Sequence, residues 1–193
     1  MQEGLENKVN TSNQVNNNTD RTTGNNENTM RKIEIEKVVI NIGVGKSGDP
    51  IERAKMALVE LTGQNPSIRG AKKSVRDFGI HKGEPIGTMV TLRRNTAIKF
   101  LKRIFDAKSN SVKGSSIDMN GNLSIGIKEH IDIPGIKYNP DIGIFGMDVC
   151  ISLKRPGYRV AKRSNRTKIG KFHRITKEES SKFFQEHFGV EVV

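Results

Sequence analysis

Apolar and polar residues alternate in three separate segments of this chain, and that alternation limits what it can fold into. Ile86, Thr88, Val90 and Leu92 take turns with Gly87, Met89, Thr91 and Arg93. Leu123, Ile125 and Ile127 repeat the pattern, as do Met147, Val149, Ile151 and Leu153 against Asp148, Cys150, Ser152 and Lys154. A period of two sends successive side chains to opposite faces of a strand, so each segment predicts a strand buried on one side only. Half-buried strands belong to antiparallel or mixed sheets, because an all-parallel sheet is covered on both faces. Ile33, Ile35, Val38, Val39, Ile40 and Ile42 read as a long first strand, and residues 67–76 leave room for another.

Helical patterns separate the strands. Asp49 and Pro50 supply an N-cap and a first-turn proline for a helix whose apolar stripe is Ile51, Ala54, Leu58 and Leu61, ending near Gly63. Asn95 caps a second helix with Ile98, Leu101, Ile104 and Phe105 on one face. Thr176 and Glu179 form a capping box for a third, which carries Phe183 and Phe184. The expected class is α+β: a mostly antiparallel sheet with helices packed on one face, plus a basic C-terminal arm and helix.

Residues 1–29 differ in composition. They hold nine Asn and almost no large apolar residue, too little to offset the entropy of ordering, so a disordered tail is expected there. The tail has Lys8 and Arg21 against Glu3, Glu6, Asp20 and Glu27, a net of −2, so with +12 on the whole chain residues 30–193 carry +14. We expect those residues to form a single domain beginning near Met30, Arg31 and Lys32.

Such a charge favours polyanionic partners. A membrane is a poor candidate: no apolar run approaches the roughly 20 residues that span a bilayer, and Trp is absent. The single cysteine, Cys150, cannot form an intrachain disulfide, which suits a reducing cytoplasm.

The positive charge is concentrated in two segments. Residues 62–94 hold Arg69, Lys72, Lys73, Arg76, Lys82, Arg93 and Arg94 against only Asp77 and Glu84. Gly63, Pro66, Gly70, Gly79, Gly83, Pro85 and Gly87 prevent one continuous helix there. Residues 154–174 hold nine Lys or Arg and no acid. Arg155, Arg159, Lys162, Arg163, Arg166, Lys168, Lys171 and Arg174 are its candidate RNA contacts, with Tyr158, Phe172 and His173 available to stack. Without a polyanion this stretch would repel itself. RNA is favoured over DNA because helix-turn-helix, zinc-finger and zipper signatures are missing.

Enzymatic readings are weaker. Residues 43–48 match GxGxxG between a strand and a helix, the local context of a dinucleotide fingerprint. No acidic residue ends a second strand about 20 positions later, and Asp49 would set negative charge where a pyrophosphate must sit. The segment reads as a glycine turn feeding a capped helix. Gly45, Lys46 and Ser47 resemble the end of a P-loop, but its first glycine would fall on Ile40. His81, His130, His173 and His187 do not pair with Cys150 or a carboxylate at metal-ligand spacing, so no metal or cofactor is expected. His130 reads as structural, and Asp132 and Asp141 as solvated loop residues.

Several blocks in order resemble the large-subunit ribosomal protein five family, in its archaeal and eukaryotic form. They are Lys37 to Gly45, Leu61 to Pro66, Ala71 to Phe78, Gly83 to Arg93, Asn122 to His130, Gly143 to Asp148, and the arm from Arg155 to Ile175. The resemblance covers about residues 30 to 190. It implies a structural protein, not an enzyme, that binds 5S ribosomal RNA and large-subunit ribosomal RNA and helps form the central protuberance. By motif position it implies a 5S RNA grip at Asn41, Gln64, Lys72, Lys73, Ser74, Phe78, Thr91 and Arg93. It also implies a glycine-jointed loop, residues 78–86, reaching toward P-site tRNA with Gly79, Ile80, His81, Lys82, Gly83 and Glu84. A neighbouring protein of the 5S particle and a small-subunit head protein, met through residues 109–122, complete the implied partners.

Overall fold

The computed structural model describes residues 28–193. Apart from Asn28 and Thr29, which open one turn of 3-10 helix through Arg31, the expected tail lies outside the described residues. Ten regular elements follow in the order β1 Glu34–Gly43, α1 Asp49–Thr62, β2 Ser67–Gly70, β3 Pro85–Leu92, α2 Arg94–Ala107, β4 Ser111–Val112, β5 Leu123–Ile127, β6 Met147–Lys154, α3 Lys177–Phe188 and β7 Glu191–Val192.

Five strands form one sheet in the order β2-β3-β1-β6-β5, and every neighbouring pair is antiparallel. The period of two is realised as expected. Val38, Ile40, Ile42, Val90, Leu92, Val149 and Ile151 face the helices and are buried, each contributing about 1.5–3 kcal/mol relative to exposure. One hydrophobic cluster joins these strands to all three helices. Phe105 of α2 meets Phe184 and Phe188 of α3 at ring-centroid distances of 6.2 and 5.2 Å, so an aromatic seam holds the C-terminal helix. A second ribbon, absent from the sequence expectation, pairs β4 with β7 in parallel.

Strand β1 contains a bulge. Ile35 pairs with Leu153 and Lys37 with Ser152, leaving Glu36 as the extra residue. The shift keeps Ile35 against the core and lets Glu36 and Lys37 escape it. In the sequence, the trace of this event is an apolar spacing of three between Ile35 and Val38, where two would continue the pattern.

Two helix starts differ from expectation. Gly48, at φ 95°, is the N-cap of α1, and Asp49 lies inside the first turn with Glu52. There the carboxylates favour the helix dipole without capping it. In α2 the N-cap is Arg93 and the helix runs from Arg94, itself at φ 55°, so Asn95 lies inside the first turn and does not cap it. Its buried stripe is Ala97, Phe100, Leu101, Ile104 and Phe105, while Ile98 is exposed. The capping box at Thr176 and Glu179 forms with both of its hydrogen bonds.

Candidate nucleic-acid interface

The sheet face away from the helices is uncovered by any described helix and mostly polar. Register builds it in rows. One row runs Ser67, Met89, Asn41, Asp148 and Gly126 across β2, β3, β1, β6 and β5. The next runs Thr91, Val39, Cys150 and Ser124. Lys37 and Ser152 begin a third. Asn41 and Thr91 thus project from adjacent central strands on one surface, and Lys37, not singled out from the sequence, joins them. At the end of the face where β1 begins, the acids are neutralised: Glu34 pairs with Lys154 at 3.5 Å, and Glu36 pairs with Lys162. Arg93 reaches the Glu36 carbonyl at 3.4 Å from the end of β3, and Gln64 is exposed just beyond the left-handed cap of α1.

Beyond the β2–β3 edge, residues 71–84 fold into a cationic hairpin. Its base closes where Ala71 N–H donates to the Glu84 carbonyl and Gly83 N–H donates to the Ala71 carbonyl, both at 2.8 Å. Higher up, Val75 and Ile80 exchange backbone bonds at 2.9 and 3.1 Å. The tip is a 3-10 turn, Arg76–Phe78, left through Gly79 in the left-handed region. Lys72, Lys73, Ser74, Phe78, Gly79, His81, Lys82 and Gly83 are exposed, while Ile80 and Glu84 are half-buried.

This geometry revises the partition read from the sequence. Lys72, Lys73, Ser74 and Phe78 of the expected grip share one hairpin with the expected reaching loop, since Ser74 Oγ accepts the Lys82 N–H at 2.9 Å, while Asn41, Gln64, Thr91 and Arg93 lie outside it. The loop is closed and tied, and it ends at Glu84, since Pro85 and Ile86 already belong to β3. The Glu84 carboxylate accepts from His81 N–H at 2.9 Å and from Ser47 Oγ at 2.7 Å. Those two bonds, the His81 bond foremost, hold its pKa below the usual carboxylate value. Ser47 therefore works as a strut for the hairpin. The GxGxxG loop feeds α1, and its Val44 and Gly45 N–H groups are taken by the Ile86 carbonyl.

The arm, residues 155–175, is anchored differently. Arg155 is only 4% exposed. Its guanidinium meets Glu179 Oε1 at 2.7 Å and donates to the His173 and Arg174 carbonyls at 3.3 and 3.4 Å. Arg155 therefore belongs among the anchors of the arm and not among the surface RNA contacts, because its charge is spent inside the protein. Burial pushes the Glu179 carboxyl up, but the Thr176 N–H and Arg155 outweigh it and the net shift is downward. Tyr158 and His173 are also withdrawn as free stacking residues. They pack edge to face at 5.8 Å. The Tyr158 hydroxyl accepts from Ile175 N–H at 2.9 Å, and His173 Nε2 lies 2.8 Å from the Pro156 carbonyl. Arg159, Lys162, Arg163, Arg166, Lys168, Lys171, Phe172 and Arg174 remain exposed, Lys162 engaged with Glu36.

Elsewhere, His130 is buried with its Nδ1 accepting the Phe145 N–H at 3.3 Å, the structural role expected of it. Residues 109–122 enter through left-handed Ser109 and Asn110, supply β4, and present Met119 at 89% exposure.

The fold and surface define a class: a basic α+β protein with a one-sided antiparallel sheet, presenting cations on two excursions. Two family models match it, ribosomal protein L5 over residues 28–81 and the ribosomal L5P family C-terminus over residues 85–183. The two matches share one sheet, since β1 of the first pairs with β3 and β6 of the second. The chain is 57% identical over 164 residues to large ribosomal subunit protein uL5 of Pyrobaculum aerophilum, covering 84% of this chain and 92% of that one. It is 54% identical to the uL5 protein of Cenarchaeum symbiosum (85% and 98% covered) and 49% identical to that of Sulfolobus acidocaldarius (86% and 94% covered). The chain belongs to the L5 family of ribosomal proteins.

Proposed function

We propose that this chain, a structural and non-enzymatic constituent of the large ribosomal subunit in the cytoplasm, binds 5S ribosomal RNA through the hairpin and the adjoining open sheet face. The carrying observation is that Lys72 and Lys73 are exposed on a hairpin continuous with β2 and β3, strands of the same sheet that carries Asn41 and Thr91 on its open face. Lysines neutralise phosphate, and Asn, Gln, Ser and Thr hydrogen-bond to sugar and phosphate oxygens. Gln64, Ser74, Phe78 and Arg93 extend that grip. The second side of the hairpin, with His81 and Lys82, faces P-site tRNA. The arm contacts large-subunit ribosomal RNA through Arg159, Lys162, Arg163, Arg166, Lys168, Lys171 and Arg174. A neighbouring protein of the 5S particle and a small-subunit head protein, the latter at residues 109–122, are its protein partners.

Gel shifts over a salt series test the grip. The 5S RNA should bind more tightly than an unrelated RNA of equal length, and equal affinity would sink the 5S claim. Replacing Lys72 and Lys73 together by Ala should weaken binding about tenfold and make the log–log salt slope shallower by about 2. An unchanged slope removes both lysines from the interface. A photo-crosslinker at position 82 should label P-site tRNA in reconstituted ribosomes; labelling of ribosomal RNA alone would overturn the tRNA assignment.

A further inference from the structure

Only two of the eight phenylalanines are exposed, and both stand in the cationic excursions. Phe78 is at the hairpin tip at 76% exposure, and Phe172 is on the arm at 88%. The other six are buried or half-buried. Phe172 has no aromatic neighbour among the described residues, yet its backbone is firmly held. It lies in the 3-10 turn Lys171–His173, closed by a 3.0 Å bond from His173 N–H to the Gly170 carbonyl. The next carbonyl along, that of His173, accepts from both buried Arg155 and the Tyr158 hydroxyl at 3.3 Å. The side chain is therefore presented to solvent from a fixed support.

We propose that Phe172 is a stacking platform for an unpaired nucleobase. The inference rests on the reading of the arm as an RNA contact and adds the chemical class of what it contacts. A π-face accepts any base, and a ring carried on a tied backbone has only two side-chain torsions to restrict on stacking. Lys171 and Arg174, both exposed, flank the ring along the chain. Cations beside an exposed ring suit a nucleotide, whose base stacks while its phosphate is neutralised. They do not suit an apolar protein surface, where they would have to be desolvated.

The test compares the full chain with Phe172→Ala, Phe172→Leu and Phe172→Trp, using a short single-stranded RNA of mixed sequence and a duplex of the same length. Phe172→Trp supplies the only tryptophan of the chain. Its fluorescence should be quenched by the single strand and not by the duplex. Phe172→Ala and Phe172→Leu should each weaken single-strand binding about tenfold with an unchanged melting temperature. Equal quenching by both RNAs, or parental affinity in Phe172→Leu, would overturn stacking. Arg163→Ala with Arg166→Ala separates the two levels. If that pair weakens binding while the Phe172 variants do not, the arm binds RNA without the platform. If neither does, the reading of the arm itself fails.

Discussion

The hairpin and the arm are both cationic, both broken by glycine, and both lack long regular structure, yet they are secured by different physics. The hairpin is tied to itself and to a neighbouring loop by hydrogen bonds near solvent: Ala71 with Gly83 and Glu84, Val75 with Ile80, Ser74 with Lys82, and Glu84 with Ser47. The arm is tied to the core through buried Arg155, its partner Glu179 on α3, and Tyr158 beneath the chain. Exposed ties can be exchanged for water at little cost, whereas a buried guanidinium cannot lose its partners cheaply. The hairpin is thus suited to adjust on binding and the arm to present a preformed surface.

The largest expected effect breaks the arm anchor. Arg155→Met leaves the Arg174 carbonyl without its donor, the His173 carbonyl with the Tyr158 hydroxyl alone, and Glu179 without its cation. A cost of about 2–4 kcal/mol is expected, below the extreme for buried pairs because the Glu179 side chain is 39% exposed. Thermal unfolding by circular dichroism checks this, and a loss within error would mean that the arm is no better anchored than the hairpin. The Glu179 pKa should rise in the same variant, since Arg155 contributes to lowering it.

A smaller effect strains the base of the hairpin. A Cβ at Gly70 would stand 2.9 Å from the Gly83 carbonyl oxygen, a backbone atom that cannot rotate away. Gly70→Ala should cost about 1–2 kcal/mol, and it should reduce 5S RNA affinity without altering the arm. Unchanged RNA binding with lowered stability would show that the shape of the hairpin does not matter to the grip.

Much of this architecture was legible in the sequence. The three alternating segments became β3, β5 and β6, and the capping box became the start of α3, because both signals are local and strong. The open polar face also followed from the alternation. What escaped depended on contacts distant in sequence. Arg155 stood in a run of cations and looked like one more surface charge; only the packing of α3 against the arm brings Glu179 to it. Tyr158 and His173 looked free for the same reason. The hairpin looked like two sites because its closure depends on Ser74 meeting Lys82 and on Ser47, 37 residues away from Glu84. The bulge at Glu36, which sends Lys37 to the open face, did leave a local trace in the spacing of Ile35 and Val38.

The smallest effect isolates the solvent-side ties of the hairpin. The His81 N–H and the Ser47 hydroxyl depress the Glu84 pKa below its ordinary 4.5. A group whose folded pKa is depressed contributes its stabilisation above the unfolded value and loses it as pH falls through the folded one. The tie should therefore be intact at neutral pH and released only below about pH 4.5. Glu84→Gln should mimic part of that release at neutral pH, since a neutral amide accepts more weakly than a carboxylate. Amide exchange should accelerate at His81 and Lys82, while Ile175, bound to Tyr158 in the arm, keeps its protection and the melting temperature stays unchanged. Faster exchange at Ile175 in this variant would mean that the two excursions are coupled through the sheet, and the contrast between a self-tied hairpin and a core-tied arm would fail.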